Sequence, residues 1–135
     1  MIRKYQIGVI QMDPRDNYEE NMEAACRYID EAAAKGAKLV AFPEVFNYIG
    51  VEPREAEEIP GGPTISLMAK KAREHKIWIH CGSISEVNPN GEKKYNTTVL
   101  LNPDGEEVAR YRKLHAFDIT LRDGTETRES DRMQI

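Results

Sequence analysis

A strand-helix-strand pattern at the start of the chain constrains its fold more than any other feature. Residues 5 to 12 form a run rich in Ile and Val, and residues 39 to 42 form a second apolar run. Between them, apolar side chains recur with a helical period of about 3.6 residues, on Met22, Ala25, Cys26, Ile29 and Ala33. Because Pro43 ends the second run, we expect Glu44 at the carboxyl end of a strand, where open α/β sheets usually place ligands.

Capping residues mark the ends of two predicted helices. Asn17, followed three residues later by Glu20, is typical of a helix start, and Lys35-Gly36 is typical of its end. A second helix is predicted after the cluster Pro60-Gly61-Gly62-Pro63, with Thr64 as its cap. Its inward stripe consists of Ile65, Met68, Ala69 and Ala72.

The sequence pattern in the second half of the chain predicts strands without further helices. Three candidates, residues 77 to 87, 94 to 101 and 107 to 113, are joined by Asn88-Pro89-Asn90-Gly91 and by Asn102-Pro103-Asp104-Gly105. Both connections contain turn residues suited to hairpins, so we expect this part of the sheet to be antiparallel. With no internal repeat, low-complexity tract or linker, residues 1 to 135 are predicted to form a single domain of the α/β (α+β) class.

Composition narrows the classes of partner. The 135 residues include 19 basic and 23 acidic ones, which are interspersed and give a net charge of -4. The sequence has no basic stripe of the kind that binds nucleic acid or an anionic membrane. It also has no apolar stretch close to the ~20 residues that span a bilayer. Two cysteines without a secretory framework predict a cytoplasmic protein. A small, weakly charged partner is therefore expected.

Glu44 and Lys113 are the residues whose chemistry is most suggestive. A carboxylate can serve as a general base and later as an acid, and an ammonium can stabilise a developing oxyanion. The apolar neighbours of Glu44 would raise its carboxyl pKa if the group were buried, whereas the charge of Lys113 would oppose that rise. A salt bridge or two solvated charges remains the alternative interpretation.

An ordered set of motifs resembles the nitrilase or carbon-nitrogen hydrolase superfamily. The motifs are Phe-Pro-Glu at 42 to 44, Tyr-Asn-Thr-Thr at 95 to 98, Tyr-Arg-Lys-Leu-His-Ala-Phe-Asp at 111 to 118 and Arg-Glu-Ser-Asp at 128 to 131. The similarity extends from Ile7 to about Asp131. It implies a four-layer α-β-β-α sandwich, and with it an incomplete domain whose C-terminal part is missing.

The resemblance also implies roles for individual residues. Glu44 is similar to the general base of the family, and Lys113 to the lysine that stabilises the tetrahedral intermediate. Glu129 matches a second glutamate that positions the substrate or the lysine, with a surface acid as the alternative. Tyr48, close after Glu44, is a candidate for the substrate pocket or simply a partly exposed aromatic side chain.

The family's nucleophilic cysteine is expected beyond Ile135. A thiolate is the attacking species that forms a thioester. Cys26 falls on the apolar stripe of the first predicted helix and Cys81 within a predicted strand, so both are interpreted as packing residues.

The expected function is hydrolysis of a small amide, carbamoyl or nitrile substrate through a cysteine thioester. The resemblance implies no cofactor and a homo-oligomer, and His75 and His80 lack a metal-ligand spacing. Two alternatives remain: a non-catalytic binding or assembly module with the same fold, and a truncated gene product without function. Sequence alone does not identify the substrate.

Overall fold

Two helices lie side by side on one face of a six-stranded sheet in the computed structural model, which describes residues 4–135. The helices are α1 (Tyr18–Ala34) and α2 (Pro63–His75). The strands of the sheet are β1 (Ile7–Val9), β2 (Leu39–Ala41), β3 (Trp78–His80), β4 (Ile84–Glu86), β5 (Tyr95–Leu101) and β6 (Glu107–Arg112). A separate hairpin consists of β7 (Asp118–Thr120) and β8 (Glu126–Arg128).

Strand direction changes from parallel to antiparallel across the sheet. β1, β2 and β3 are parallel neighbours, with Val40 of β2 opposite Ile79 of β3. β5 runs antiparallel to β3, β4 and β6, as the two hairpin connections predicted. β3 and β4 lie end to end on one side of β5, and β6 pairs with its other side. The carboxyl ends of β2 and β6 therefore approach the same region.

One extra residue interrupts the strand that was predicted to be continuous from 77 to 87. Four positions separate His80 from Ile84, whereas three separate their partners Leu100 and Thr97. Gly82 lies within this β-bulge, and its φ of 45° is in the left-handed region. The bulge breaks the predicted strand into β3 and β4 and re-aims the side chains that follow it.

The caps of α1 are confirmed, whereas the cap of α2 was assigned wrongly. The amide of Glu20 donates to Asn17 Oδ1 (3.2 Å), and α1 ends at Lys35 before Gly36, which has a positive φ of 89°. Helix α2 begins at Pro63 with Gly62 as its N-cap, so Thr64 lies inside the first turn. A proline at the first helical position is favourable because it has no N–H to leave unpaired.

The long connection from β2 to α2 is held by the buried carboxylate of Glu57. Its Oε2 accepts the Thr64 amide (2.8 Å), and its Oε1 accepts the Thr64 hydroxyl (2.7 Å) and Arg54 Nη1 (2.6 Å). Asn47 donates to Thr64 Oγ1 (3.1 Å), and its carbonyl accepts from Asn21 of α1 (3.1 Å). Glu57 thus supplies the helix cap that Thr64 was predicted to provide.

The sheet buries its helix-facing side and leaves much of the other side open. Val40, Ile79, Val99 and Leu101 are almost fully buried, whereas Val9 on edge strand β1 is 82% exposed. These layers match the mixed α+β fold expected from the sequence; residues 4–135 contain one helical layer and one main sheet, and the four-layer sandwich stays a prediction. Across the same residues, neither helix combines the length with the apolar composition that a bilayer-spanning segment needs.

Replacing Glu57 with alanine is expected to lower the free energy of unfolding by about 2 kcal/mol, because Arg54 and the start of α2 lose a shared buried acceptor. Urea denaturation followed by circular dichroism measures the change. The matched control is Glu58→Ala, since Glu58 is exposed and its carboxylate contacts no donor within residues 4–135. Equal losses in the two variants would contradict this role of Glu57.

Candidate active site

Glu44 and Lys113 meet although 69 positions separate them in the chain. Lys113 Nζ lies 2.8 Å from Glu44 Oε1. Glu44 follows β2 in a tight turn, and Lys113 directly follows β6. The expected convergence of the two side chains is therefore present in the structure.

A second carboxylate shares the same ammonium. Lys113 Nζ lies 3.0 Å from Glu129 Oε1 and 2.9 Å from Glu129 Oε2. Glu129 begins a short 3-10 helix after β8, and its Oε2 also accepts the Phe117 amide (2.6 Å). Glu129 thus contacts the lysine, one of the two partners that the resemblance implied for it, and its role there stays a prediction.

Asn96 completes the polar cluster. Its Nδ2 donates to Glu44 Oε1 (2.7 Å), and its backbone carbonyl accepts the Lys113 amide (2.8 Å). Asn96 belongs to the Tyr-Asn-Thr-Thr motif at 95 to 98, but no role at the site was predicted for it. The pairing of Thr97 with Arg112 across β5 and β6 places Asn96 opposite Lys113, so the hairpin register carried the signal.

The turn that carries Glu44 is strained and tightly packed. Val45 has a φ of 51°, a left-handed conformation that costs a β-branched residue roughly 1–2 kcal/mol. The Val45 amide donates to Ser83 Oγ (3.0 Å). A Cβ on Gly82 would lie 1.9 Å from the Pro43 carbonyl oxygen, so only glycine fits there. Sequence reasoning missed both Gly82 and Ser83.

The ion pair lowers the pKa of Glu44 below its ordinary value. The hydrogen bond from Lys113 is the largest cause, the one from Asn96 adds to it, and partial burial opposes it. Apolar neighbours were expected to raise the Glu44 pKa only if the carboxyl were buried, and this condition is not met because the Glu44 side chain is 57% exposed. Glu44 and Glu129 raise the pKa of Lys113. At neutral pH, Glu44 is therefore an anion and Lys113 a cation.

A cavity of about 260 Å³ opens beside this cluster on the sheet face opposite the helices. Its lining includes Glu44 and Lys113 at one end and His80, Thr98 and Tyr111 along the strands. Within the described residues, Glu44 Oε2 has no hydrogen-bond partner. Glu44 Oε2 and Lys113 Nζ can thus contact the same small molecule in this cavity.

Tyr48 lies elsewhere. Its hydroxyl donates to the Glu52 carbonyl (2.9 Å), and its ring lines a separate cavity of about 830 Å³ that Glu129 also borders. The structure does not bring Tyr48 into contact with Glu44 or Lys113, and its role in binding a substrate stays a prediction.

Neither cysteine contacts the cluster. Cys81 is fully buried beneath the helices, and this burial raises the pKa of its thiol. Cys26 is half-buried on α1, where burial likewise raises the thiol pKa. Within residues 4–135, neither sulfur is a hydrogen-bond partner of Glu44 or Lys113.

Among the described residues, one group of possible metal ligands lies between the two helices, and it shares no residue with the cluster around Lys113. Asp30, Glu74 and His75 approach one another there. Lys71 Nζ lies 2.5 Å from Asp30 and 3.2 Å from Glu74. The Lys71 ammonium therefore already occupies the position next to these carboxylates and offsets their negative charge.

Removal of the Lys113 ammonium is expected to raise the pKa of Glu44, since the donor that lowers it most is lost. Carboxyl ¹³C NMR during a pH titration of Lys113→Ala measures this change. A lowered Glu44 pKa stabilises the folded protein at pH values above the Glu44 pKa of the unfolded state. This stabilisation is lost as the pH falls through the Glu44 pKa of the folded state. As the pH falls through this range, Lys113→Ala should therefore lose less stability than the wild-type protein does. Lys38→Ala is the control, and an unchanged Glu44 midpoint in Lys113→Ala would contradict the pairing.

Alkylation should distinguish the two thiols. In the native protein, iodoacetamide is expected to modify half-buried Cys26 before fully buried Cys81, and in urea both should react. Peptide mass spectrometry over time gives the two rates. Faster modification of native Cys81 would contradict its burial and return it to the set of candidate nucleophiles.

A family model described as carbon-nitrogen hydrolase matches residues 6–134. Omega-amidase NIT2 of Homo sapiens is 40% identical over 120 residues, which make up 87% of this chain and 42% of that protein. Deaminated glutathione amidase of Synechocystis is 34% identical over 132 residues, which make up 96% of this chain and 48% of that protein.

Solved structures share the fold. The Caenorhabditis elegans NitFhit protein superposes with a TM-score of 0.78 at 28% identity, covering 95% of this chain and 32% of that one. Saccharomyces cerevisiae Nit3, described as a member of the nitrilase superfamily, gives 0.75 at 23% identity, covering 96% and 48%. The chain spans less than half the length of these relatives. The family match along residues 6–134 confirms the resemblance drawn from the motifs: the chain belongs to the carbon-nitrogen hydrolase family.

Proposed function

We propose that Glu44 and Lys113 are the general base and the oxyanion-stabilising group of an amidase whose nucleophilic thiol lies outside these 135 residues. The observation that carries this proposal is the 2.8 Å contact between Lys113 Nζ and Glu44 Oε1 at the mouth of an open cavity. The family supplies the reaction class, and the positions of Cys26 and Cys81 argue against an internal nucleophile.

The reaction has two steps, formation of a thioester and its hydrolysis. Glu44 removes the thiol proton, the thiolate attacks the amide carbon, and the carbonyl oxygen becomes an oxyanion that Lys113 stabilises. Protonated Glu44 then gives its proton to the leaving amine, and the C–N bond breaks to leave a thioester. Glu44 next deprotonates a water that attacks the thioester, and the carboxylic acid leaves as the thiol recovers a proton.

The hydrogen bonds of the cluster suit these steps. An ammonium has three donors, and Lys113 hydrogen-bonds one oxygen of Glu44 and one of Glu129. Its third donor, which lies near Glu129 Oε2 (2.9 Å), can turn to an oxyanion while Glu129 stays bound through Oε1. Glu129 keeps Lys113 charged and fixes its direction. Asn96 and Lys113 both bind Glu44 Oε1, which leaves Oε2 to accept the proton.

The names of the relatives favour an amide over a nitrile, because the human and cyanobacterial proteins are both described as amidases. A small amide is therefore the substrate class we propose, with carbamoyl and nitrile compounds as comparison substrates. A cytoplasmic location and a homo-oligomeric state are part of the same proposal, supported by the two free thiols and by the family resemblance.

The coding sequence beyond Ile135 tests the source of the thiol, and we expect a further strand followed by a cysteine on a turn. In that longer product, Glu44→Gln and Lys113→Ala should each lower kcat by about 10²-fold or more, measured as ammonia released from small ω-amides. Glu58→Gln is the matched control for loss of a carboxylate. Wild-type turnover in Glu44→Gln would reject Glu44 as the base.

The isolation of both thiols from Glu44 also favours a second candidate, a module that binds a small amide without hydrolysing it. A stop codon directly after Ile135 would support it, as would calorimetric binding that Glu44→Gln and Lys113→Ala leave unchanged. The 135-residue chain alone should show no thiol-dependent turnover. Turnover that Cys81→Ala abolishes would overturn both candidates.

A further inference from the structure

We propose that Ser83 is a positioning residue for Glu44: its hydroxyl holds Val45 in the left-handed conformation that directs the Glu44 carboxylate to Lys113. The inference rests on the proposed role of Glu44 as general base and adds a residue outside the motifs that identified the family. Its basis is the bond from the Val45 amide to Ser83 Oγ (3.0 Å), which joins positions 38 residues apart.

Val45 is a residue that its surroundings must hold in place. A φ of 51° is unfavourable for a side chain branched at Cβ, so the turn would relax toward an extended backbone if nothing opposed it. Ser83 is 7% exposed, and its oxygen accepts the Val45 amide within the packed turn. Because φ of Val45 turns the backbone directly after Glu44, relaxation would swing the Glu44 side chain.

The β-bulge explains why the hydroxyl of Ser83 reaches this amide. The buried apolar side chains are Ile79 and Cys81, two positions apart, and then Ile84, three positions further on, so the alternation of faces reverses between Cys81 and Ile84. Ser83 lies at this reversal, and Gly82 packs against the Pro43 carbonyl, where no Cβ fits. The bulge thus holds the turn on both sides of Glu44.

The far end of Glu44 does not replace this support. Its side chain is 57% exposed, and its contacts are to the tips of Lys113 and Asn96. The ion pair of a carboxylate this exposed contributes little when the backbone beneath it is free to move. The hydroxyl of Ser83 acts on the backbone itself and therefore decides whether the carboxylate meets the ammonium.

The test uses the Glu44 titration midpoint, read by carboxyl ¹³C NMR on the 135-residue chain. Ser83→Ala should raise the midpoint toward that of an ordinary glutamate, because the ion pair with Lys113 is lost. Adding Val45→Gly should restore the wild-type midpoint, since glycine adopts a positive φ without the hydroxyl. Val45→Gly alone should leave it unchanged. The variants leave intact the titratable groups around the cavity, which are Lys113, His80, Tyr111 and, beyond the lysine, Glu129.

Ser85→Ala is the matched control, because Ser85 lies two residues further on and its hydroxyl makes no hydrogen bond within residues 4–135. A purely structural role for Ser83 would lower thermal stability while leaving the Glu44 midpoint unchanged, and that result overturns the proposal. If Ser83→Ala does not fold, the double variant is compared with Val45→Gly: a double variant that folds and has an equal midpoint supports the proposal, and one that stays unfolded or has a higher midpoint overturns it. Because the midpoint is independent of turnover, an active Glu44→Gln enzyme would reject the proposed function without changing this result.

Discussion

The shared ammonium of Lys113 is the interaction on which the candidate site depends. It joins the turn after β2 to the short 3-10 helix after β8 through two carboxylates, those of Glu44 and Glu129. Two carboxylates brought this close without a cation would repel each other. The ammonium offsets this repulsion and lowers the pKa of Glu44, so Glu44 is an anion at neutral pH. The general-base role proposed for Glu44 therefore depends on the lysine that holds both carboxylates.

Sheet geometry makes that arrangement possible. Strand β5 pairs with β4 and β6 at once, so Asn96 at its start lies beside Lys113 at the end of β6 and donates to Glu44 beyond β2. The turn that brings Glu44 there is strained at Val45, and buried polar groups hold the loop on either side of it. Glu57 fixes the later part to α2, and the bulge at Gly82 fixes the turn itself.

Much of this arrangement follows from local patterns in the sequence, and the rest does not. Helix α1 and the hairpins were predicted because caps, periodicity and turn residues act over a few positions. The cap of α2 was not, because Glu57 reaches Thr64 from outside the helix. The hairpin of β7 and β8 was missed although Asp123-Gly124 in its turn is a hairpin signal. The bulge left no such signal, because one glycine in a strand is compatible with several backbone paths.

The same alternation of faces that builds the sheet separates the thiol from the acid–base pair. Ile79 and Cys81 point toward the helices, whereas His80 lines the cavity with Glu44 and Lys113 on the opposite face. Bringing Cys81 to Glu44 would require a one-residue shift of β3, which would also expose Ile79 and place His80 in the core. The sheet therefore fixes Cys81 as a packing residue, and a thioester mechanism on this scaffold needs a sulfur that approaches from the uncovered face.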